Sequence, residues 1–106
     1  MKAIVKLHDR VAGILERRGN MVSFQYDRDY VRNGLPTLSL SLPLREEPYV
    51  TEGGLPPYFS GLCSEGWLRH TQCFQQGIHL DDEFTLLVNN GRDMTGAVTI
   101  EPMAEH

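Results

Sequence analysis

Apolar and polar positions alternate through the first quarter of the chain. Lys2-Ala-Ile-Val-Lys-Leu7 and Val11-Ala-Gly-Ile-Leu-Glu16 are short apolar runs separated by the polar triplet His8-Asp9-Arg10, which predicts a hairpin. Arg17-Arg18-Gly19-Asn20 is a second turn signal, because Gly and Asn tolerate positive φ. Met21-Val-Ser-Phe-Gln-Tyr26 places Val22, Phe24 and Tyr26 on one face of a third strand, completing an antiparallel meander. Asp27 through Gly34 fits one or two helical turns, with Asp27 as N-cap and Gly34 as stop. Leu38-Ser-Leu-Ser-Leu-Pro-Leu44 has the plainest alternation in the chain and predicts a strand with one leucine-lined face. Pro43 would put that strand at an edge, an end or a bulge.

Arg45 to Gly54 is rich in turn formers and predicts a surface loop. Beyond it the period changes. Pro56 or Pro57 can open a helix whose apolar side holds Phe59, Leu62 and Cys63. Ser64 is placed to cap a second helix that carries Trp67, Thr71 and Phe74 at i, i+4 and i+7 and stops at Gly77. A third helix is expected from Asp81 or Asp82, with Phe84, Leu87 and Val88 on one side and Asn89-Asn90-Gly91 at its end. Gly96 to Ile100 reads as a closing strand, and the chain from Pro102 as a tail. Strands and helices are segregated along the sequence, which argues for an α+β fold rather than a doubly wound parallel sheet.

The chain has 106 residues, enough for one domain burying roughly two-thirds of its unfolded surface. Its formal charge is −4, from 14 acidic and 10 basic side chains, and the basic residues are dispersed. A phosphate-binding surface needs clustered Lys and Arg, so direct nucleic-acid binding is not expected. No run approaches the ~18 apolar residues of a membrane span, and the start lacks a signal peptide's apolar core, so a cytoplasmic protein is expected. Two cysteines are too few for a disulfide framework.

Candidate chemistry is sparse. His70-x-x-Cys73 is the nearest approach to a metal pair, but completing it would need Cys63 or the isolated His8, His79 and His106. Zinc sites ordinarily show two close pairs, so a core thiol beside a histidine is the simpler account. Cys63 and His70 as nucleophile and base lack any flanking oxyanion-hole motif. Asp81-Asp82-Glu83 suits a helix start, where acidic groups complement the dipole and the free N–H groups. Gly53-Gly54 and Gly91-x-x-x-x-Gly96 lack the lysine or glycine triplet of a phosphate loop. What remains is surface. Tyr58, Phe59, Trp67, Arg69 and His70 cluster on short helices, and aromatic and arginine side chains of this kind make interface hot spots. Trp67 and Leu68 lie one helical step apart, so they cannot both face one core seam.

The blocks Leu38-Ser-Leu-Ser-Leu-Pro-Leu44, Leu55-Pro-Pro-Tyr-Phe-x-Gly-Leu62, Phe84-x-Leu-Leu-x-x-x-Gly-x-Asp93 and Gly96-Ala-Val98 follow one another in order and span most of the chain. Together they resemble the N-terminal subdomain of HipA-type toxin kinases. The resemblance implies a single domain over residues 1–106, a small curved antiparallel or barrel-like sheet capped by short helices. The kinase body of that family, with its ATP-binding loop and catalytic and metal-binding aspartates, has no counterpart in these residues. No catalytic residue or cofactor is therefore carried over, and no enzyme is expected. The chain starts at Met1 and ends in a polar tail, as a complete gene product would. A free-standing version of the subdomain is similar to the antitoxin subunits of HipB–HipS–HipT-type modules. That similarity implies a HipT-like serine/threonine kinase as the partner to be neutralised and a HipB-like DNA-binding protein in the same complex. The alternative is a non-inhibitory scaffolding subdomain of a HipA-type kinase.

Overall fold

The computed structural model describes residues 1–93 and 97–103. Strands β1 (Lys2–Leu7), β2 (Arg10–Arg18) and β3 (Met21–Tyr26) form the expected meander. The β1–β2 turn is tight because His8 and Asp9 both take positive φ, at 50° and 65°, the twist that a two-residue hairpin loop requires. Helix α1 (Arg28–Arg32) follows, with the Asp27 carboxylate accepting from the Tyr30 N–H as its cap. Strand β4 (Tyr49–Glu52), helices α2 (Pro57–Ser60), α3 (Gly66–Gln76) and α4 (Glu83–Asn90), a single 3-10 turn at Gly91–Asp93 and strand β5 (Val98–Pro102) complete the chain. The sheet is open and antiparallel, in the order β4-β3-β2-β1-β5. The architecture is α+β, as the segregation of strands and helices implies.

Register explains which face is buried. Val5 pairs with Gly13 and with Ile100, Ala3 with Leu15, and Leu15 with Phe24, so these positions share one face. That face packs against Phe59 of α2, Cys73 of α3 and Phe84, Leu86, Leu87 and Val88 of α4 in one continuous core. Phe24 is at its centre, edge-on to Tyr26 at 4.9 Å and tilted against Phe59 at 5.0 Å between ring centroids. Between Val5 and Lys6 the β1–β2 register shifts, leaving Ala12 as the extra residue of a bulge.

Three expectations are corrected. Leu38–Leu44 is not a strand: Leu42 is 4% exposed and Leu40 98% exposed, so its leucines do not share a face. The segment is a turn-containing strap, with the Leu42 N–H bonded to the Ser39 carbonyl and the Ser41 N–H to the Ser39 hydroxyl. Its polar backbone is satisfied by tyrosines instead of a ladder. Tyr26 Oη donates to the Leu42 carbonyl at 2.6 Å and accepts from the Leu38 N–H, and Tyr49 Oη donates to the Pro43 carbonyl at 2.6 Å. Conversely, Arg45 to Gly54 is not all loop, since β4 lies within it and pairs with β3 from Met21↔Glu52 to Phe24↔Tyr49. The closing strand runs to Pro102 rather than giving way to tail there, and its expected start at Gly96 lies outside the described residues, as does His106.

Candidate functional site

Helix α3 is built to be held from one side. Its N-terminus is at Glu65 rather than at Ser64, whose hydroxyl instead bonds the Gln72 side chain at 2.6 Å. Its C-terminus is closed by Gly77 in the left-handed conformation, with the Gly77 and Ile78 N–H groups both reaching the Cys73 carbonyl. At 3.6 residues per turn, Arg69, Cys73 and Gln76 fall on one face, and that face meets α4. Cys73 is buried in the core, and the Gln76 and Asn90 amides exchange hydrogen bonds of 2.8 and 3.1 Å. Arg69 Nη2 contacts the Glu83 carboxylate at 3.1 Å while its Nε donates to the Ser64 carbonyl at 2.7 Å. Ser60 Oγ donates to the same Glu83 carboxylate at 2.9 Å, so one acidic side chain ties α2, α3 and α4 together.

The opposite face of α3 carries Trp67, His70 and Phe74, all exposed. Trp67 is 80% exposed and Phe74 90% exposed, and Leu68 beside them is half exposed. Soluble chains leave single apolar side chains outside as a matter of course, but two aromatic rings in line on one helix form a patch. The five residues singled out from sequence are therefore divided. Trp67 and His70 lie together on the outer face of α3. Arg69 turns inward into the Glu83 clamp. Phe59 has no exposed surface and belongs to the core, so it backs the helical layer without reaching a docking partner. Tyr58 is half-buried and edge-on to Phe59 at 5.2 Å, with burial pushing its hydroxyl pKa up. Phe74, outside that set of five, is the most exposed aromatic ring, and its i+7 spacing from Trp67 was the signal for it.

The other candidate chemistry does not converge. Cys63 is buried, and desolvation together with the nearby Glu83 charge, opposed by Arg69, pushes its thiol up to about 11. Such a thiol is not a nucleophile at neutral pH. His70 is exposed whereas Cys73 is buried. Among the described residues no three His, Cys, Asp or Glu side chains are grouped to hold a metal ion. Asp82 caps α4 by accepting from the Thr85 N–H, and Arg17 Nη1 contacts it at 2.7 Å. Burial opposes ionisation of Asp82, but its hydrogen bonds from Thr85 and Arg17 and the Arg17 charge outweigh that and hold the carboxyl below its ordinary value. No helix among the described residues is long and apolar enough to cross a membrane.

Fold and surface define the class first: a small α+β domain whose open antiparallel sheet is covered by short helices, one of them aromatic toward solvent. Comparison with known proteins then identifies the family. Residues 3–101 match the family model of the HipA N-terminal domain, and the chain belongs to that family. A solved structure described as the N-terminal domain of HipA toxin superposes with a TM-score of 0.74 at 33% identity, covering 99% of this chain and 94% of the other. An uncharacterized protein of Haemophilus influenzae is 40% identical over 97 residues, covering 92% of this chain and 88% of that protein. A putative kinase of Sinorhizobium fredii, Y4dM, is 38% identical over 87 residues, covering 74% of this chain but 21% of the kinase. The chain thus spans about a fifth of that kinase's length, and the unit it matches is a small non-catalytic subdomain. The family relation places the domain in a toxin–antitoxin context.

Proposed function

We propose that this protein is the antitoxin subunit of a HipB–HipS–HipT-type complex, binding a HipT-like serine/threonine kinase and holding it inactive. The observation that carries the reading is the α3 surface: Trp67 stands in solvent on a helix that three hydrogen-bonded side chains fix from behind. A helix already folded and held from behind loses little backbone freedom on binding, which favours a hot spot on its outer face. The Haemophilus influenzae relative supports a free-standing domain, because the match accounts for 88% of that protein. Tyr58 and His70 complete the proposed contact surface, with Phe59 and Arg69 supporting it from inside.

The inhibition follows from the needs of phosphoryl transfer. A kinase must close its lobes to align the γ-phosphate with the acceptor hydroxyl. A subunit that binds the unclosed arrangement more tightly than the closed one shifts the population toward the inactive form by that difference in affinity. DNA contacts in the complex belong to a HipB-like partner, consistent with the dispersed basic residues and the −4 charge of this chain.

The test is growth rescue and co-purification with the kinase encoded alongside. Wild-type protein should restore growth and co-purify, and Trp67→Ala should remain folded by circular dichroism yet lose most of the rescue. A folded Trp67→Ala protein that rescues fully would overturn the assignment of the site. The Y4dM relative, in which the matching region is a fifth of a longer kinase, favours a second reading as a scaffolding subdomain. A neighbouring kinase gene that already encodes its own such subdomain would select that reading.

A further inference from the structure

We infer that α3 enters its partner as an inserted helix with two anchors, Trp67 and Phe74, so that the partner presents an apolar groove with two ring-sized pockets about 10 Å apart. This rests on the antitoxin reading and specifies the surface the kinase must offer. The spacing comes from the helix itself: seven residues at about 1.5 Å rise per residue separate the two side chains along the axis. Seven residues also make nearly two whole turns, so both rings leave the helix on the same side, with His70 between them. Recognition by i, i+3/i+4 and i+7 side chains is the signature of a helix lying in a groove.

The area available selects a groove over a flat contact with a second copy. An aromatic side chain buries ~150–250 Å² when covered, so two rings exposed to this degree offer on the order of 350 Å². A stable interface of standard size buries ~800 Å² on each partner. Two copies laid face to face on this stripe would fall well short, whereas a concave surface covers each ring on several sides and brings the flanks of α3 into contact as well. A lipid surface is disfavoured by charge. Interfacial helices carry Lys and Arg on the polar face, whereas the one charged residue within α3 is Arg69, which is bound to Glu83.

The test measures affinity for the kinase encoded alongside, by calorimetry, for wild type, Trp67→Ala, Phe74→Ala and the phase-shifted double variant Phe74→Gln/Gln75→Phe. The last keeps the composition of α3 and moves the second ring about 100° around the helix onto another exposed position. Each of the three variants is expected to weaken binding at least tenfold, with unchanged helical content and melting temperature. If Phe74→Ala or the phase-shifted protein binds as wild type while Trp67→Ala does not, the two-anchor groove is overturned and the antitoxin reading stands. If wild-type protein binds no kinase, both fall together. Wild-type binding to phosphatidylglycerol vesicles that Phe74→Ala abolishes, with kinase affinity unaltered, would also overturn the groove in favour of a membrane contact.

Discussion

Gly13 occupies a position where β2, just past its bulge, passes against β3. A Cβ there would lie within 2.8 Å of the Phe24 ring and closer still to the Gln25 carbonyl oxygen. Neither neighbour is free to retreat, since Phe24 is packed between Tyr26 and Phe59. Gly13→Ala should therefore lower unfolding free energy by about 1–3 kcal/mol through overpacking, measured as a shift in urea midpoint at constant slope. A variant as stable as wild type would mean that the sheet relaxes at the bulge. Cys63 makes a separate prediction about chemistry. With its thiol pushed up to about 11 by desolvation and the Glu83 charge, it is protonated at pH 8 and shielded from reagents. Iodoacetamide should label Cys63 far more slowly in the native protein than in concentrated urea, as followed by mass spectrometry. Rapid native labelling would show that α2 opens readily, and it would revive a chemical role for that thiol.

The strap from Leu35 to Leu44 shows how a pattern of elements is made and misread. Alternating leucines predict a strand only if another strand is present to pair with, and here the backbone partners are tyrosine hydroxyls. Periodicity reports which side chains want burial and says nothing of where the N–H and C=O groups go. The edge strand β4 was hidden for the converse reason: its exposed Val50 and Glu52 and its proline- and glycine-rich flanks give no buried stripe. By contrast, α1, α3 and α4 were legible from local signals: Asp27 and Asp82 cap α1 and α4, and Gly34 and Gly77 follow the ends of α1 and α3 in the left-handed conformation. The strap's dependence on Tyr26 can be measured. Tyr26→Phe removes the hydroxyl that donates to the Leu42 carbonyl and accepts from the Leu38 N–H, and should cost about 1–3 kcal/mol. Amide exchange should accelerate from Leu38 to Leu44 before it does in β1 and β2. Burial raises the Tyr26 pKa above its ordinary 10.0, so the stability linked to the protonated hydroxyl is complete below pH 10 and is lost as pH rises through the raised value. The Phe variant should show a shallower alkaline loss of stability; an equally steep one would place the linkage on Tyr30 or Tyr58 instead.

At the scale of the whole molecule, the sheet joins residues from opposite ends of the chain. β1 lies between β2, reached by a two-residue turn, and β5, reached only after all four helices. The Lys6–Glu101 ion pair at 3.0 Å spans that seam. Periodicity revealed β5 as a strand, but no local signal could assign it to the outer edge of β1. That placement depends on α4 first covering the sheet and on Gly91 letting the chain pass against Ile100. The functional surface was similarly half legible. Spacing placed Trp67 and Phe74 on one face of α3, and only the packing of Arg69, Cys73 and Gln76 against α4 shows which face is outward. Since α4 holds α3 and itself packs against β5, the integrity of the docking face should depend on the seam. Ile100 is fully buried against Gly91, in the strand that pairs with β1. Ile100→Ala should lower unfolding free energy by about 2–5 kcal/mol, whereas Met103→Ala, at the exposed end of the same segment, should stay within about 0.5 kcal/mol of wild type. Urea unfolding followed by both far-UV circular dichroism and Trp67 fluorescence distinguishes two outcomes. Coincident shifts of both probes in Ile100→Ala would show α3 and the sheet melting as one unit. A fluorescence transition that stays in place while the sheet loses stability would show that α3 keeps its structure independently of the seam.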